Sequence, residues 1–214
     1  MAVALTDVVI GDEPAAWAAA GFAVEGDRTL LGPVALRFEP GARRGVLGWS
    51  LAGMNESALV DGALDGIPTA APADDQPGRG VPHPNGVSAL DHVVVATPDL
   101  DRTVAALTSA GLEERRRRDV GGGRQQVFFW LGEPILELVG PIEPTGDGPA
   151  RVWGLACTCP DLDASVAALG NAVGQAKDAV QPGRRIATIR HKDLDMTVPV
   201  ALMTPHVRSD QIED

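Results

Sequence analysis

The chain contains an 18-residue segment that occurs twice in similar form. Leu90–Leu107 reads LDHVVVATPDLDRTVAAL, and Val152–Leu169 reads VWGLACTCPDLDASVAAL. An offset of 62 residues, from 90 to 152, aligns the shared PDLD and VAAL motifs without a gap. A repeated supersecondary unit fixes the architecture before any single element is assigned. We therefore expect two copies of one folding unit, which differ first where His92 in one copy corresponds to Gly154 in the other.

The residue pattern predicts the order βαβββ in each copy. In the first, Leu90–Ala96 is an apolar run typical of a buried strand, followed by Thr97 as helix N-cap and Pro98 as first helical residue. Three more strands are predicted in copy one, near 112–120, 125–131 and 135–139, with a glycine turn at 121–123. Copy two has a strand over 152–158, a helix over 160–173 and strands near 177–180, 185–190 and 198–203.

Such a unit covers one sheet face with its helix and leaves the other face bare. Two units can pair so that the bare faces form an open barrel with a pocket near the pseudo-twofold axis. We predict an α+β fold of paired βαβββ modules plus a divergent N-terminal βαβββ-like unit. The predicted parts are a module at 1–53, a Pro/Gly-rich linker at 54–87, a domain at 88–206 with modules 88–145 and 150–206, and a tail at 207–214.

Composition narrows the range of partners and locations. The net charge of −11 argues against nucleic acid, because binding phosphates requires a basic surface. No apolar run approaches the ~20 residues of a membrane helix, and no secretory signal is visible. We expect a cytoplasmic protein that binds a small molecule and not a membrane. The additional N-terminal unit can pair across a twofold axis or lie against the main barrel, and we expect a homodimer.

The segment LDHVVVATPDLDRTVAALTSAGLE, followed by RQQVFFWLG and PILELVGP, resembles the vicinal oxygen chelate superfamily. That superfamily includes glyoxalase I, extradiol dioxygenases, methylmalonyl-CoA epimerase, and fosfomycin and bleomycin resistance proteins. The resemblance extends from Ser88 to about His206, and it is weak over residues 1–53. It indicates the fold more specifically than the reaction.

The resemblance implies metal ligands on the first and last strands of each module. His92 and Glu137 occupy these positions in copy one, and both residue types bind Zn²⁺, Ni²⁺, Mn²⁺ or Fe²⁺. Copy two has Gly154 and either Ala201 or Leu202, none of which binds a metal. Half a site is therefore visible, whereas a catalytic metal usually has about three protein ligands.

Three explanations remain open. Further ligands can come from outside the pattern, where the candidates are Asp7, Gln125, Gln126, His191 and His206. The metal can be lost, with His92 and Glu137 left as a hydrogen-bonded or acid–base pair. Both residues can also be structural remnants. A divalent metal and no cofactor at all are thus equally compatible with the sequence.

Two functions follow from these explanations. The first is a metal-dependent lyase, isomerase or dioxygenase in which His92 and Glu137 act on a vicinal-oxygen substrate. The second is a metal-free protein that binds or sequesters a small molecule, as the bleomycin resistance proteins do. Fold alone does not choose between them.

Other residues are candidates for contacts with the substrate. Arg115–Arg118 is a run of four arginines, of which strand alternation sends two inward and two to solvent. Arg116 and Arg117, one from each face, are candidates for an anion clamp. The competing interpretation is an edge strand protected by charge. Phe129 and Gln125 are further candidates for the pocket wall, whereas alternation points Trp153 away from it. The pair Cys157 and Cys159 is expected to be buried as two small apolar side chains.

Overall fold

The computed structural model describes residues 2–73 and 80–206, which form two open sheets and few helices. The predicted tail at 207–214 lies outside the described residues. The N-terminal sheet contains β1 (Ala4–Ile10), β2 (Arg28–Leu31), β3 (Val34–Phe38), β4 (Val46–Ala52), β5 (Ala63–Leu64) and β6 (Ile67–Ala70), with helix α1 (Pro14–Ala19) after β1. None of the helices in the described part of the chain is long and apolar enough to cross a membrane.

The C-terminal sheet is built from the two copies of the repeat. Copy one contains β7 (Ala89–Ala96), α2 (Leu100–Ser109), β8 (Glu114–Gly121), β9 (Arg124–Trp130) and β10 (Ile135–Pro141). Copy two contains β11 (Arg151–Thr158), α3 (Leu162–Leu169), β12 (Lys177–Asp178), β13 (Arg185–Thr188) and β14 (Val200–Met203). The predicted βαβββ order is confirmed in both copies.

The two copies join through their first strands at the centre of this sheet. The strand order is β12-β13-β14-β11-β7-β10-β9-β8, with β7 and β11 antiparallel. Each first strand lies parallel to the last strand of its own copy, so that β7 pairs with β10 and β11 with β14. This arrangement has the pseudo-twofold symmetry that the repeat predicts.

The shared PDLD motif begins the helix in both copies. The Asp99 side chain accepts a hydrogen bond from Arg102 N at 3.0 Å, and the Asp161 side chain accepts one from Ala164 N at 2.9 Å. These aspartates are therefore the N-caps. The N-cap predicted at Thr97 is wrong by two residues, because the Thr97 hydroxyl accepts from Asp99 N and stabilises the turn before the helix.

The N-terminal sheet repeats the same arrangement with shorter elements. Its strand order is β2-β3-β1-β4-β6-β5. The central strands β1 and β4 are antiparallel, and each has a parallel partner on its other side, β3 for β1 and β6 for β4. The sequence predicts a single βαβββ-like unit over residues 1–53, in which β4 would be the last strand. The pairing of β4 with β1 instead matches that of β11 with β7, so β4 begins a second, reduced unit.

The second reduced unit extends into the segment predicted as a linker. A 3-10 helix at Glu56–Ala58, β5 and β6 all fall within 54–87. Leu64 and Ile67 are buried, and β6 pairs with β4. The structure differs from the prediction here because two buried apolar residues suffice to anchor strands of two and four residues among the prolines and glycines.

The two halves of the chain pack against each other. Leu5 N donates to Leu131 O at 3.0 Å, and the buried Asp12 carboxylate accepts from Thr197 N at 2.9 Å. One cluster of buried apolar residues extends through both halves. The N-terminal half therefore lies against the main domain, which is one of the two arrangements that the sequence left open.

The homodimer stays a prediction, since contacts within one chain do not test it. Light scattering on the full-length protein is expected to give twice the mass of one chain. A mass equal to that of a single chain would contradict the expectation.

Candidate functional site

The concave face of the C-terminal sheet encloses a cavity of about 620 Å³. Its walls come from both copies, as the pairing of the two modules predicts. The apolar part of the wall includes Phe128, Ile135, Trp153, Leu155, Val180, Ile186 and Met203. The charged and titratable part consists of His92, Arg116, Arg118, Glu137, Arg184 and His206.

His92 lies on the central strand of this face. Its side chain is 3% exposed, and its Nδ1 atom contacts the Asp91 carboxylate. A carboxylate only accepts hydrogen bonds, so Nδ1 carries the proton that Asp91 accepts, and Nε2 is the ring nitrogen left for another partner. Nε2 is buried and has no hydrogen-bond partner among the described residues. A buried polar atom without a partner, in a residue of the cavity wall, is a place where a ligand can bind.

Asp91 is held in turn by a buried arginine from the other copy. Arg184 donates through Nη2 to Asp91 Oδ1 at 2.8 Å and through Nη1 to Oδ2 at 3.1 Å. The side chains of Arg184 and Asp91 are only 1% and 5% exposed. Burial alone would raise the pKa of Asp91, but hydrogen bonds from His92 and Arg184 hold that pKa well below its usual range. The ionised Asp91 therefore fixes the orientation of the His92 ring.

Glu137 lies on β10, two residues after Ile135, which pairs with His92 on β7. The register joins His92 to Ile135 and Val94 to Glu137, so His92 and Glu137 face the same cavity. Gln126 Nε2 donates to Glu137 Oε1 at 2.5 Å. Burial raises the pKa of Glu137, against smaller opposing effects of His92, Gln126 and Arg118. The predicted pair is thus brought into one wall of the cavity.

Copy two provides no ligand at the corresponding positions. Ala156 pairs with His92 and Gly154 with Val94 across the central strands, which makes Gly154 the counterpart of His92. Ala156 pairs with Ala201 on β14, as Val94 does with Glu137, so the counterpart of Glu137 is Ala201 and not Leu202. A β-carbon on Gly154 would lie 3.0 Å from the backbone oxygen of Pro199. A histidine at this position would require that backbone to shift.

The alternative ligands do not complete a metal site. Asp7 forms an ion pair with Arg37 in the N-terminal sheet, and His191 and Gln125 are not part of the cavity wall. His206 does reach the cavity, where ligand atoms of Asp91, His92 and His206 lie within 4.8 Å of one another. Both Asp91 oxygens already accept from Arg184, whose Nη1 is 3.2 Å from His206 Nε2. A guanidinium cation thus occupies the place that a metal ion would need, and this group does not fit a metal.

The other residues that were predicted to contact a substrate line the cavity or not, depending on the face of the strand on which they lie. Arg116 lines the cavity, whereas Arg117 forms ion pairs with Glu114 and Asp101 outside it. Phe129 is fully buried and Gln125 is not in the cavity wall. Their neighbours Phe128 and Gln126 line the cavity instead, together with Arg118. The predictions for Arg117, Phe129 and Gln125 are therefore each displaced by one residue.

Trp153 differs from the prediction for a similar reason. The pairing of β11 with β7 shifts register between Val152 and Gly154, so Trp153 occupies a β-bulge. A bulge inserts an additional residue and redirects side chains. Trp153 consequently lines the cavity, with 53% of its surface exposed. Alternation counted along the sequence does not include this shift.

The cysteine pair lies away from this chemistry. Cys157 and Cys159 are both fully buried, and burial raises the pKa of each thiol. Neither residue lines the cavity. The prediction of two small apolar side chains is confirmed.

Replacing Glu137 by glutamine is expected to stabilise the protein at neutral pH. Because the folded-state pKa of Glu137 is raised, the folded state binds its proton more tightly than the unfolded state, and stability falls as pH rises between the two pKa values. Glutamine does not titrate, and its side-chain oxygen can still accept the hydrogen bond from Gln126 Nε2. The gain in melting temperature should be present at pH 7 and disappear below about pH 4. The exposed Glu133→Gln is the control, and a lower melting temperature for Glu137→Gln at pH 7 would contradict the argument.

Comparisons with known proteins agree with this architecture. Residues 91–188 match the family model described as the glyoxalase/bleomycin resistance protein/dioxygenase superfamily. No curated protein matches the sequence. The crystal structure of BphC, a halotolerant catechol dioxygenase, is similar with a TM-score of 0.60 at 13% identity, covering 100% of this chain and 89% of that chain.

Homoprotocatechuate 2,3-dioxygenase from Arthrobacter globiformis has a TM-score of 0.59 at 14% identity, covering 100% of this chain and 82% of that chain. Methylmalonyl-CoA epimerase from Mycobacterium tuberculosis has a TM-score of 0.46 at 22% identity, covering 57% of this chain and 91% of that chain. At these identities the two dioxygenase structures indicate the fold and not the activity. Residues 91–188 are therefore similar to the glyoxalase/bleomycin resistance protein/dioxygenase superfamily, and the chain has the βαβββ modules of the glyoxalase fold.

Proposed function

We propose that this protein binds a small organic molecule in the cavity of its C-terminal sheet without a resident metal. The observation that carries the proposal is the wall contributed by copy two. Gly154 and Ala201 stand where ligands would be needed, and a β-carbon at 154 would lie only 3.0 Å from the backbone oxygen of Pro199. A catalytic metal usually has about three protein ligands, whereas this cavity offers His92 and Glu137.

The surroundings of the cavity favour binding of an organic molecule. Its volume of about 620 Å³ lies in the range of small-molecule sites, and its wall combines apolar side chains with few polar ones. The unpartnered Nε2 of His92 offers a hydrogen-bonding atom to a ligand. Glu137 offers a second polar contact, which Gln126 orients.

Metal analysis tests this proposal directly. Protein purified without chelator is expected to contain substoichiometric metal and to show no stoichiometric uptake of Ni²⁺, Zn²⁺, Mn²⁺ or Fe²⁺ by calorimetry. The variants His92→Ala and Glu137→Gln should behave as the wild type does. Stoichiometric metal that is lost in both variants but retained in the control His191→Ala, which lies outside the cavity, would overturn the proposal.

A screen of small organic compounds by thermal shift tests the binding itself. Compounds that stabilise the wild type are expected not to stabilise Ala201→Phe, because Ala201 lines the cavity and a phenyl ring fills it. The exposed Val60→Phe is the matched control outside the cavity. Equal stabilisation of all three proteins would place the binding elsewhere and contradict the proposal.

A second function, a metalloenzyme with two protein ligands, is favoured by one observation. Asp91 orients His92 from behind, and metal-bound histidines usually donate their other ring nitrogen to such a carboxylate. His92 and Glu137 would then hold the ion. A bound divalent metal would act as a Lewis acid on a vicinal-oxygen substrate in a lyase, isomerase or dioxygenase reaction. The metal analysis above separates this function from the first.

A further inference from the structure

The four consecutive arginines of β8 are divided between two environments. Arg116 and Arg118 line the cavity, whereas Arg115 and Arg117 do not. Side chains two residues apart on a strand share a face, and their α-carbons are roughly 7 Å apart. Arg116 and Arg118 can therefore reach the same group in the cavity, while the other two point away from it.

The two outer arginines are neutralised by carboxylates. Arg117 lies 3.2 Å from Glu114 and 3.1 Å from Asp101, and Arg115 lies 3.5 Å from Glu113. The acidic residues that flank the arginine run thus balance the outer face of the strand. They do not balance the inner face.

The two inner arginines have no such partner. Among the described residues, no carboxylate oxygen lies within 4.0 Å of a nitrogen of Arg116 or Arg118, although the chain has a net charge of −11. Glu137 is the only carboxylate among the described residues of the cavity wall, and it accepts from Gln126. The cavity therefore concentrates positive charge in an acidic protein.

Protection of a sheet edge does not account for this division. β8 is the last strand of its sheet, and charged side chains there hinder pairing with another chain. That role is independent of the face on which a charge lies, and paired arginines fulfil it as well as unpaired ones. Glu137 lies in the same cavity and interacts with Arg118 at longer range, but among the described residues neither inner arginine forms an ion pair, which points to a ligand that supplies the negative charge.

We infer that the ligand of this cavity is an organic anion whose carboxylate or phosphate binds Arg116 and Arg118. This inference rests on the proposed small-molecule function and names its ligand class. The apolar part of the ligand lies against Phe128, Trp153 and Ile186, and guanidinium groups suit the bidentate geometry of both anions.

Calorimetric titration with matched probes tests the inference. The probes are 2-naphthoate, 2-naphthyl phosphate and the neutral 2-naphthamide, which share one ring system. The wild type is expected to bind at least one of the anions about tenfold more tightly than the amide. The double variant Arg116→Gln/Arg118→Gln should bind that anion as weakly as the amide, with amide binding unchanged. The double variant Arg115→Gln/Arg117→Gln, which makes the same charge change on the opposite face, should retain the wild-type preference.

The outcomes separate this inference from the function on which it rests. Equal binding of anions and amide by the wild type overturns the anion inference and leaves the small-molecule cavity in place. Equal losses in the two double variants also overturn it, because they indicate a general effect of net charge. Binding of no probe overturns the inference and the proposed function together. The preference for carboxylate over phosphate, or the reverse, identifies the anion that the pair accepts.

Discussion

Replacing Asp91 by asparagine is expected to lower the free energy of unfolding by about 3–5 kcal/mol. The substitution keeps the shape of the side chain but leaves the Arg184 guanidinium, which is 1% exposed, without a counter-charge. An uncompensated buried charge costs far more than the net contribution of an intact ion pair. Urea-induced unfolding at pH 7 measures the difference. A loss below about 1 kcal/mol, within the range of surface ion pairs, would contradict the prediction.

Replacing the partner residue Arg184, alone and together with Asp91, tests the same ion pair. Arg184→Met leaves Asp91 unpaired and should be about as costly as Asp91→Asn. The double variant Asp91→Leu/Arg184→Met removes both charges, and it should be more stable than either single variant. Asp163→Asn is the control, because it breaks an ion pair with the neighbouring Arg185 at 2.8 Å where both side chains are exposed. Little change is expected there.

The same ion pair predicts how wild-type stability depends on pH. The folded-state pKa of Asp91 is lowered, so the unfolded state binds the proton more tightly and the stabilisation is fully present above the ordinary carboxyl range near pH 4. It is lost as pH falls from there through the folded-state pKa. The Asp91→Asn variant should lack this component, and its difference from the wild type should narrow in acid.

Replacing Asp12 by alanine is expected to cost about 3 kcal/mol or more. Asp12 is fully buried, and its carboxylate accepts from Trp17 Nε1 at 3.3 Å, from Arg44 Nε at 3.2 Å and from the backbone and side chain of Thr197. Alanine leaves the buried indole N–H of Trp17 unsatisfied, at about 1–3 kcal/mol, and it removes the charge-assisted hydrogen bonds from Arg44 and from the more exposed Thr197. Because Thr197 belongs to the C-terminal half, the loss should weaken the contact between the two halves.

Chemical denaturation followed by two probes measures this effect. In a Trp130→Phe/Trp153→Phe background the remaining tryptophans, Trp17 and Trp49, report on the N-terminal half. A fluorophore on an introduced exposed cysteine reports on the C-terminal half. Asp195→Asn is the control, since Asp195 contacts the same Arg44 from an exposed position at 3.5 Å. Asparagine tolerates the left-handed backbone at this residue, where φ is 56°. Equal unfolding curves for Asp12→Ala and the wild type would contradict the prediction.

The repeat made the C-terminal half predictable because pairing and connection order follow from symmetry. His92 and Glu137 were identified through the resemblance to the vicinal oxygen chelate superfamily, which implies ligands on the first and last strands of each module. The N-terminal half lacks a visible repeat, so strand segments could be predicted but not their partners. Whether β4 ends one unit or begins another depends on long-range pairing with β1, which local patterns do not contain.

The wall of the cavity was predicted less accurately because it depends on strand parity. An error of one residue in the face assigned to a strand places Phe129 and Gln125 in the cavity wall where Phe128 and Gln126 lie. The bulge at Trp153 changes which residues of β11 face the cavity. Asp91 was missed, although a carboxylate inside the apolar run LDHVVVA indicates a buried partner. That partner, Arg184, lies 93 residues away in a turn, and nothing local to either residue connects them.

The ion pair of Asp7 and Arg37 has a consequence for stoichiometry. Asp7 pairs with Ala35 in the parallel register in which His92 pairs with Ile135, and Arg37 lies two residues on, where Glu137 lies in copy one. In the N-terminal sheet these two positions hold the Asp7 carboxylate and the Arg37 guanidinium, with Oδ1 and Nε 2.5 Å apart. The corresponding positions of the C-terminal sheet present polar groups to its cavity. The Asp7 and Arg37 side chains satisfy each other and present no unmatched group for a guest. We therefore expect that the chain, although it has two sheets of the same design, binds one ligand molecule and not two.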